Sequence, residues 1–178
     1  MNSAGSSQQA NVHRVLTGWD EHVHYWRCAA ECDLMYESIL VPTDGSEGAV
    51  QAADHALDIA ERHGATLHVL YVVDVRMSPI DESMDHDEVV RLLEEVSGKP
   101  TTRVVERARE RGIPVTEAIR IGVPHDSIRG YVSENDIDLV VMGTHGRTGL
   151  ENTHLGGTTD KIVRTADVPV LTVPIAGE

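Results

Sequence analysis

Asp138-Leu139-Val140-Val141-Met142-Gly143-Thr144-His145-Gly146, followed after nine residues by Gly156-Gly157-Thr158-Thr159, is the stretch whose reading decides the fold. The apolar run 138–142 has the length and the Val content of a strand covered on both faces. A buried strand that releases into a loop with glycines at both ends, and then at once starts a helix, can wrap backbone N–H groups around an anion. Residues 138–159 are therefore a candidate phosphate cradle.

Upstream, strands and helices alternate. Ser38 to Val41 is a short apolar strand that stops at Pro42. Ser46 can cap a helix whose apolar face (Val50, Ala53, Leu57, Ala60) recurs at helical spacing until Gly64 ends it. Thr66 to Val73 is almost continuously apolar, as an interior strand requires. Residues 74–84 form a polar loop. The helical stretch from about Asp85 to Arg111 is interrupted at Ser97-Gly98-Lys99-Pro100, where an internal proline costs about 3 kcal/mol and implies two helices or a kink. Val115 to Ile121 alternates, with Val115, Ile119 and Ile121 on one face and Thr116, Ala118 and Arg120 on the other, which suits a sheet edge.

Pro124 starts a helix through about Glu134, Thr158 to Ala166 is a helix, and Val168 to Val173 is the last strand. The order predicts an α/β fold: an open five-stranded parallel sheet with helices on both faces, Rossmann-like, joined by right-handed crossovers. Ligands in such sheets sit beyond the carboxyl ends of the strands, where the strand order reverses. Two loops fit that place, Pro42-Thr43-Asp44-Gly45-Ser46 and 143–158.

With 178 residues, 40% of them hydrophobic, the chain has material for one compact core. The composition changes near Met35. Before it lie both tryptophans (Trp19, Trp26), both cysteines and a Ser/Gln/Asn-rich start without a sustained period. Residues 1–34 are expected to be a disordered extension or to precede the true start at Met35, with the folded domain at 35–178. His22, His24, Cys28 and Cys32 are four possible zinc ligands, but no flanking fold supports them, and unstructured sequence is the favoured reading. No window reaches the roughly 18 apolar residues of a membrane span, and the first 34 residues lack a secretory apolar block, so a cytoplasmic location is expected.

The net charge of −14, from 15 basic against 29 acidic side chains, opposes contact with nucleic acid or anionic membranes. Lysine occurs only at 99 and 161, the other basic groups being arginine, a balance that resembles proteins of salt-loving cytoplasms. At molar salt, screening over about 3 Å makes such a charge tolerable.

Taken together, Ile39-Leu40-Val41-Pro42-Thr43-Asp44-Gly45-Ser46, Val123-Pro124-His125, Met142-Gly143-Thr144-His145-Gly146-Arg147-Thr148-Gly149-Leu150 and Val168-Pro169-Val170-Leu171 resemble the universal stress protein family over about residues 36–174. The resemblance implies a site for ATP or another adenine nucleotide, with Mg²⁺ as a further candidate. By position, Pro42, Thr43 and Asp44 would lie against adenine and ribose, Asp44 at the sugar hydroxyls. Val72 would meet the adenine edge through its backbone. Met142, Gly143, His145, Gly146, Arg147, Gly156, Gly157, Thr158 and Thr159 would form the ribose and phosphate side.

Gly143, Gly146 and Gly156 match the family spacing, but Gly157 stands where the pattern has Ser or Thr. The missing hydroxyl removes a phosphate donor whose charge-assisted bond is worth about 1.5–3 kcal/mol, and Thr158 or Thr159 is placed to compensate. His125, His154 and Lys161 read as surface residues.

Enzyme signatures are missing: there is no Gly-x4-Gly-Lys-Ser/Thr, no Gly-x-Gly-x-x-Gly, no Gly-x-Ser-x-Gly and no His-Glu-x-x-His. No catalytic base can be assigned, so the expectation is a nucleotide-binding stress-response or regulatory module with at most slow hydrolysis. The alternatives are a member that binds no ATP and acts by protein interaction, or an enzyme of related fold. Val168, Val170, Leu171 and Val173 would leave an apolar edge, which a twin strand across a two-fold axis would cover. The resemblance implies such dimers, and the protein partners it would serve are not identified by the sequence.

Overall fold

The computed structural model describes residues 36–76, 91, 99–146 and 155–174. Five strands, β1 (Ser38–Pro42), β2 (Thr66–Asp74), β3 (Val115–Gly122), β4 (Leu139–Gly143) and β5 (Val170–Val173), form one sheet in the order β3-β2-β1-β4-β5. All four pairings are parallel. The described helices are α1 (Glu47–His63), α2 (Thr102–Glu110), α3 (Pro124–Glu134) and α4 (Gly157–Thr165).

Side-chain alternation along the strands builds two cores. Ile39, Val41, Leu67, Val69, Leu139 and Val141 point to one face and pack with Ala53, Ala56 and Leu57 of α1 and Val104, Val105 and Ala108 of α2. Leu40, Leu70, Val140 and Met142 point to the other face and pack with Ile128 and Tyr131 of α3 and Ile162 of α4. The connections move outward from β1 to β3 with helices on one face, then restart at β4 with helices on the other. That is the arrangement right-handed crossovers impose when the winding direction reverses.

The local signals for α1 act as read. Ser46 Oγ accepts from the Ala49 N–H at 3.3 Å, and Gly64 ends the helix at φ 66°, a left-handed conformation that glycine adopts without a Cβ penalty. Pro124 starts α3, where its missing N–H has no helical partner to lose. Past Pro100, α2 starts at Thr102, as the proline demands; the part of that helical stretch read over 85–98 falls outside the described residues, apart from Arg91. β3 lies at a sheet edge and β2 inside.

Several boundaries differ from expectation by one or two residues: β1, β2 and β3 each run one residue further, to Pro42, Asp74 and Gly122, β4 lies one residue later, and α4 ends at Thr165. β5 begins at Val170 rather than Val168, because Pro169 has no N–H for the ladder and contributes only its carbonyl, which accepts from Val140 N–H at 3.0 Å. α4 begins at Gly157 rather than Thr158. The 1–34 extension with its His/Cys quartet and the loop over 77–84 lie outside the described residues. Among the described residues no helix is long and apolar enough to cross a membrane.

One buried polar pair sits in the second core. His68 Nδ1 and the Tyr131 hydroxyl are 3.0 Å apart, and Arg120 lies 4.8 Å over the Tyr131 ring while also pairing with Glu134. Burial lowers the His68 pKa below its usual 6.5. Above pH 6.5 the ring is neutral in folded and unfolded chains alike. Below it the unfolded chain takes the proton first, so stability falls as pH drops through 6.5 toward the lower folded value. Urea unfolding at pH 7.5 and 5.5 should show this acid loss, and His68→Gln, which has no proton to take up, should reduce it.

Candidate functional site

The sheet order places β1 beside β4, and this is where the chain reverses its winding. The connections leaving these two strand ends go to opposite faces, which opens a crevice above them. Asp138 sets the register from below: its Oδ2 accepts from the Glu37 and Ser38 N–H groups at 2.7 and 3.2 Å, and Ser38 O accepts from its own N–H at 3.0 Å.

At the upper end Thr43 is buried. Its N–H donates to Leu70 O at 2.9 Å, and its Oγ1 accepts from Gly45 N–H at 3.1 Å. Asp44 Oδ1 accepts from Ser46 N–H at 3.0 Å, closing the turn that starts α1. Its other oxygen faces the glycine loop. A Cβ built on Gly146 would stand 2.5 Å from Asp44 Oδ2, so a side chain here would push this carboxylate aside.

The glycine loop is tied at both ends. Thr144 N–H donates to Val173 O at 2.9 Å, and Gly156 N–H donates to Thr144 O at 2.8 Å. A Cβ on Gly143 would meet Gly48 O of α1 at 2.9 Å, so this glycine lets the first turn of α1 approach β4. Gly157 is different: a Cβ there would meet nothing within 4 Å. Thr159 is buried and donates its hydroxyl proton to Gly143 O at 3.0 Å. Of the two threonines expected to compensate for Gly157, Thr159 has thus committed its proton to the scaffold, and half-buried Thr158 is the one left to do so.

These elements enclose a cleft of about 470 Å³. Its lining includes Pro42, Thr43, Asp44, Val72, Met142, Gly143, His145, Gly146, Gly156, Gly157, Thr158 and Thr159. Every candidate site residue that is described is therefore gathered here, and Arg147 lies outside the described residues. His145 Nδ1 is 3.2 Å from Thr144 Oγ1. Lys161 is exposed on α4 and does not line the cleft.

The cleft is also lined by Ala49, Leu70, Tyr71, Asp74, Pro124 and Ile128, which the sequence reading did not single out as site residues. The period-two pattern around Val72 could have flagged Leu70 and Asp74, and the spacing of four from Pro124 could have flagged Ile128. Asp74 is held by Arg76, whose Nε and Nη2 donate to it at 2.9 and 2.6 Å, and these bonds keep its pKa below the usual carboxylate value. An apolar floor with a few converging polar groups and helix-start amides suits a flat heterocycle carrying an anionic tail.

Residues 35–174 match the universal stress protein family. The chain belongs to this family. It is 35% identical over 142 residues to the universal stress protein MJ0531 of Methanocaldococcus jannaschii, an alignment covering 78% of this chain and 82% of that one. Among solved structures, MJ0577 of the same organism superposes with a TM-score of 0.71 at 29% identity, over 82% of this chain and all of that one. A universal stress protein solved in complex with cAMP superposes with a TM-score of 0.57 at 25% identity, over 79% of this chain and 98% of that one.

In this universal stress protein the glycines of the loop are not equivalent. Gly143→Ala, against an α1 backbone oxygen, should lower unfolding free energy by about 1–3 kcal/mol. Gly157→Ala, in open space at a helix start, should change it by less than about 0.5 kcal/mol. Chemical denaturation of the two variants checks the contrast; equal losses would contradict it.

Proposed function

We propose that the cleft binds an adenine nucleotide, with ATP as its ligand, and that the protein is a dimeric nucleotide-dependent module of the cytoplasmic stress response. The observation that carries this reading is the approach of Asp44 to Gly146, which puts a carboxylate beside the glycine loop and the start of α4 at one opening. A ribose has vicinal hydroxyls for the first, and its phosphate has oxygens for the second.

Backbone direction in β2 supports an adenine base. Thr66 N–H donates to Glu37 O and Leu70 O accepts from Thr43 N–H, whereas Leu67 N–H donates to Pro114 O. Even-numbered residues of β2 therefore turn their amides toward β1. Val72 is next in that series, beyond the last pair Pro42↔Leu70, so its N–H and C=O face the cleft instead of a strand. A donor beside an acceptor matches N1 and the amino group of adenine; guanine presents the reverse pattern. The complex of a similar protein with cAMP agrees with an adenine ligand.

Among the described residues no group of three or more His, Cys, Asp or Glu could hold a metal ion. A Mg²⁺ would instead arrive on the phosphates and keep its waters, as this ion usually does, since Asp44 is assigned to the ribose and Asp74 is held by Arg76. The metal would neutralise phosphate charge. The bare Gly157 and the inward Thr159 favour one second reading, a member that acts by protein interaction without ATP.

Calorimetric titration in high salt separates the two. ATP is expected to bind once per protomer, and GTP at least about tenfold more weakly, because mismatched buried donors and acceptors cost on the order of 1–3 kcal/mol. Asp44→Ala should weaken ATP by about 10- to 100-fold without unfolding the chain, while Gly157→Ser should strengthen it. No heat with any adenine nucleotide would leave the interaction reading. For assembly, β5 is an edge of the sheet among the described residues, with Leu171 37% exposed. Light scattering after size exclusion should give twice the 19.4 kDa chain mass, and Leu171→Lys should shift it toward the monomer.

A further inference from the structure

A second cavity of about 470 Å³ lies between α3 and α4, and nothing in the nucleotide reading uses it. Its floor is apolar: Ile128, Ile137 and Ile162 are buried there, with Val132 and Val168 half-buried beside them. Its rim carries three exposed carboxylates, Asp126, Asp136 and Asp167, against one guanidinium, Arg129. Both helices end at this groove, α3 at Asn135 and α4 at Ala166, so their terminal carbonyls add negative potential next to Asp136 and Asp167. The lining follows α3 from Asp126 to Ser133 and on to Asp136. At a rise of about 1.5 Å per residue this makes a trough of about 15 Å, the reach of four or five extended residues.

We propose that this groove docks a short basic segment of a partner protein, with an apolar side chain over half-buried Val132 and Val168 and Lys or Arg residues against Asp136 and Asp167. The apolar floor gives a side chain somewhere to lie. The rim gives the sign of its flanks, since opposite charge steers the encounter and like charge is rejected. A single cation would use the carboxylates but leave the apolar floor unfilled, and an acidic segment would meet three carboxylates and two helix carboxyl ends. The proposal does not depend on what fills the cleft at the other end of β4.

The test uses the whole chain, ¹³C-labelled at Ile and Val methyls, titrated at moderate salt without nucleotide. The probes are two peptides, one alternating Arg and Leu over five residues and one alternating Glu and Leu. The expected result is saturable shifts confined to the methyls of Ile128, Val132, Ile137, Ile162 and Val168 with the basic peptide and none with the acidic one. Asp136→Asn with Asp167→Asn should weaken the basic peptide about fivefold, as loss of exposed charge pairs predicts; asparagine keeps the left-handed backbone of residue 136 (φ 47°). No shifts at these methyls overturns the proposal. So do shifts scattered over the surface and unchanged in the double variant, which would be attraction to net charge alone. The same methyls moving on dilution without peptide would assign the groove to a second copy of the chain and also overturn it.

Discussion

Parallel strands β1 and β4 lie side by side at the centre of the sheet, and the chain enters and leaves them in opposite senses. No connection can cross the gap above them without abandoning the right-handed crossover, so the gap stays open. The lower ends are fixed by Asp138, which holds the start of β1 to the start of β4 with two N–H bonds. With the bottom clamped and both strands buried, the tips at Pro42 and Gly143 arrive at one height. The loops that follow are then confined to one small space, where Asp44 and Gly146 meet.

Above the strands, the loop is shaped by what glycine lacks. Gly143 admits the backbone of α1, and Gly146 admits the Asp44 carboxylate. Thr159 then ties the first turn of α4 to the end of β4, so the helix start that would face an anion is anchored to the most buried strand of the sheet. Rigidity is supplied by hydrogen bonds within the scaffold, in which the Thr144 and Gly156 amides of the loop take part.

Much of this was legible in the order of residues, for local reasons. Ser46 and Gly64 announce α1 because a cap and a left-handed stop act within one turn of chain. Pro124 announces α3 for the same reason. The half-polar pattern of 115–121 placed β3 at an edge because an edge strand buries its side chains only in part, where interior β2 buries them almost wholly. The start of β5 was not legible as a boundary, since Val168 looks like strand sequence and only the ladder shows that Pro169 has no donor to give. The fate of Thr159 depends on a carbonyl 16 residues away, and the places of Leu70, Asp74 and Ile128 depend on how helix and strand pack. Long-range geometry of that kind leaves no local mark.

Ile128 borders the cleft and also the groove between the helices, and it is only 2% exposed. A close-packed side chain has no slack to absorb a push. A change of side-chain volume at position 128 would therefore reshape both hollows at once.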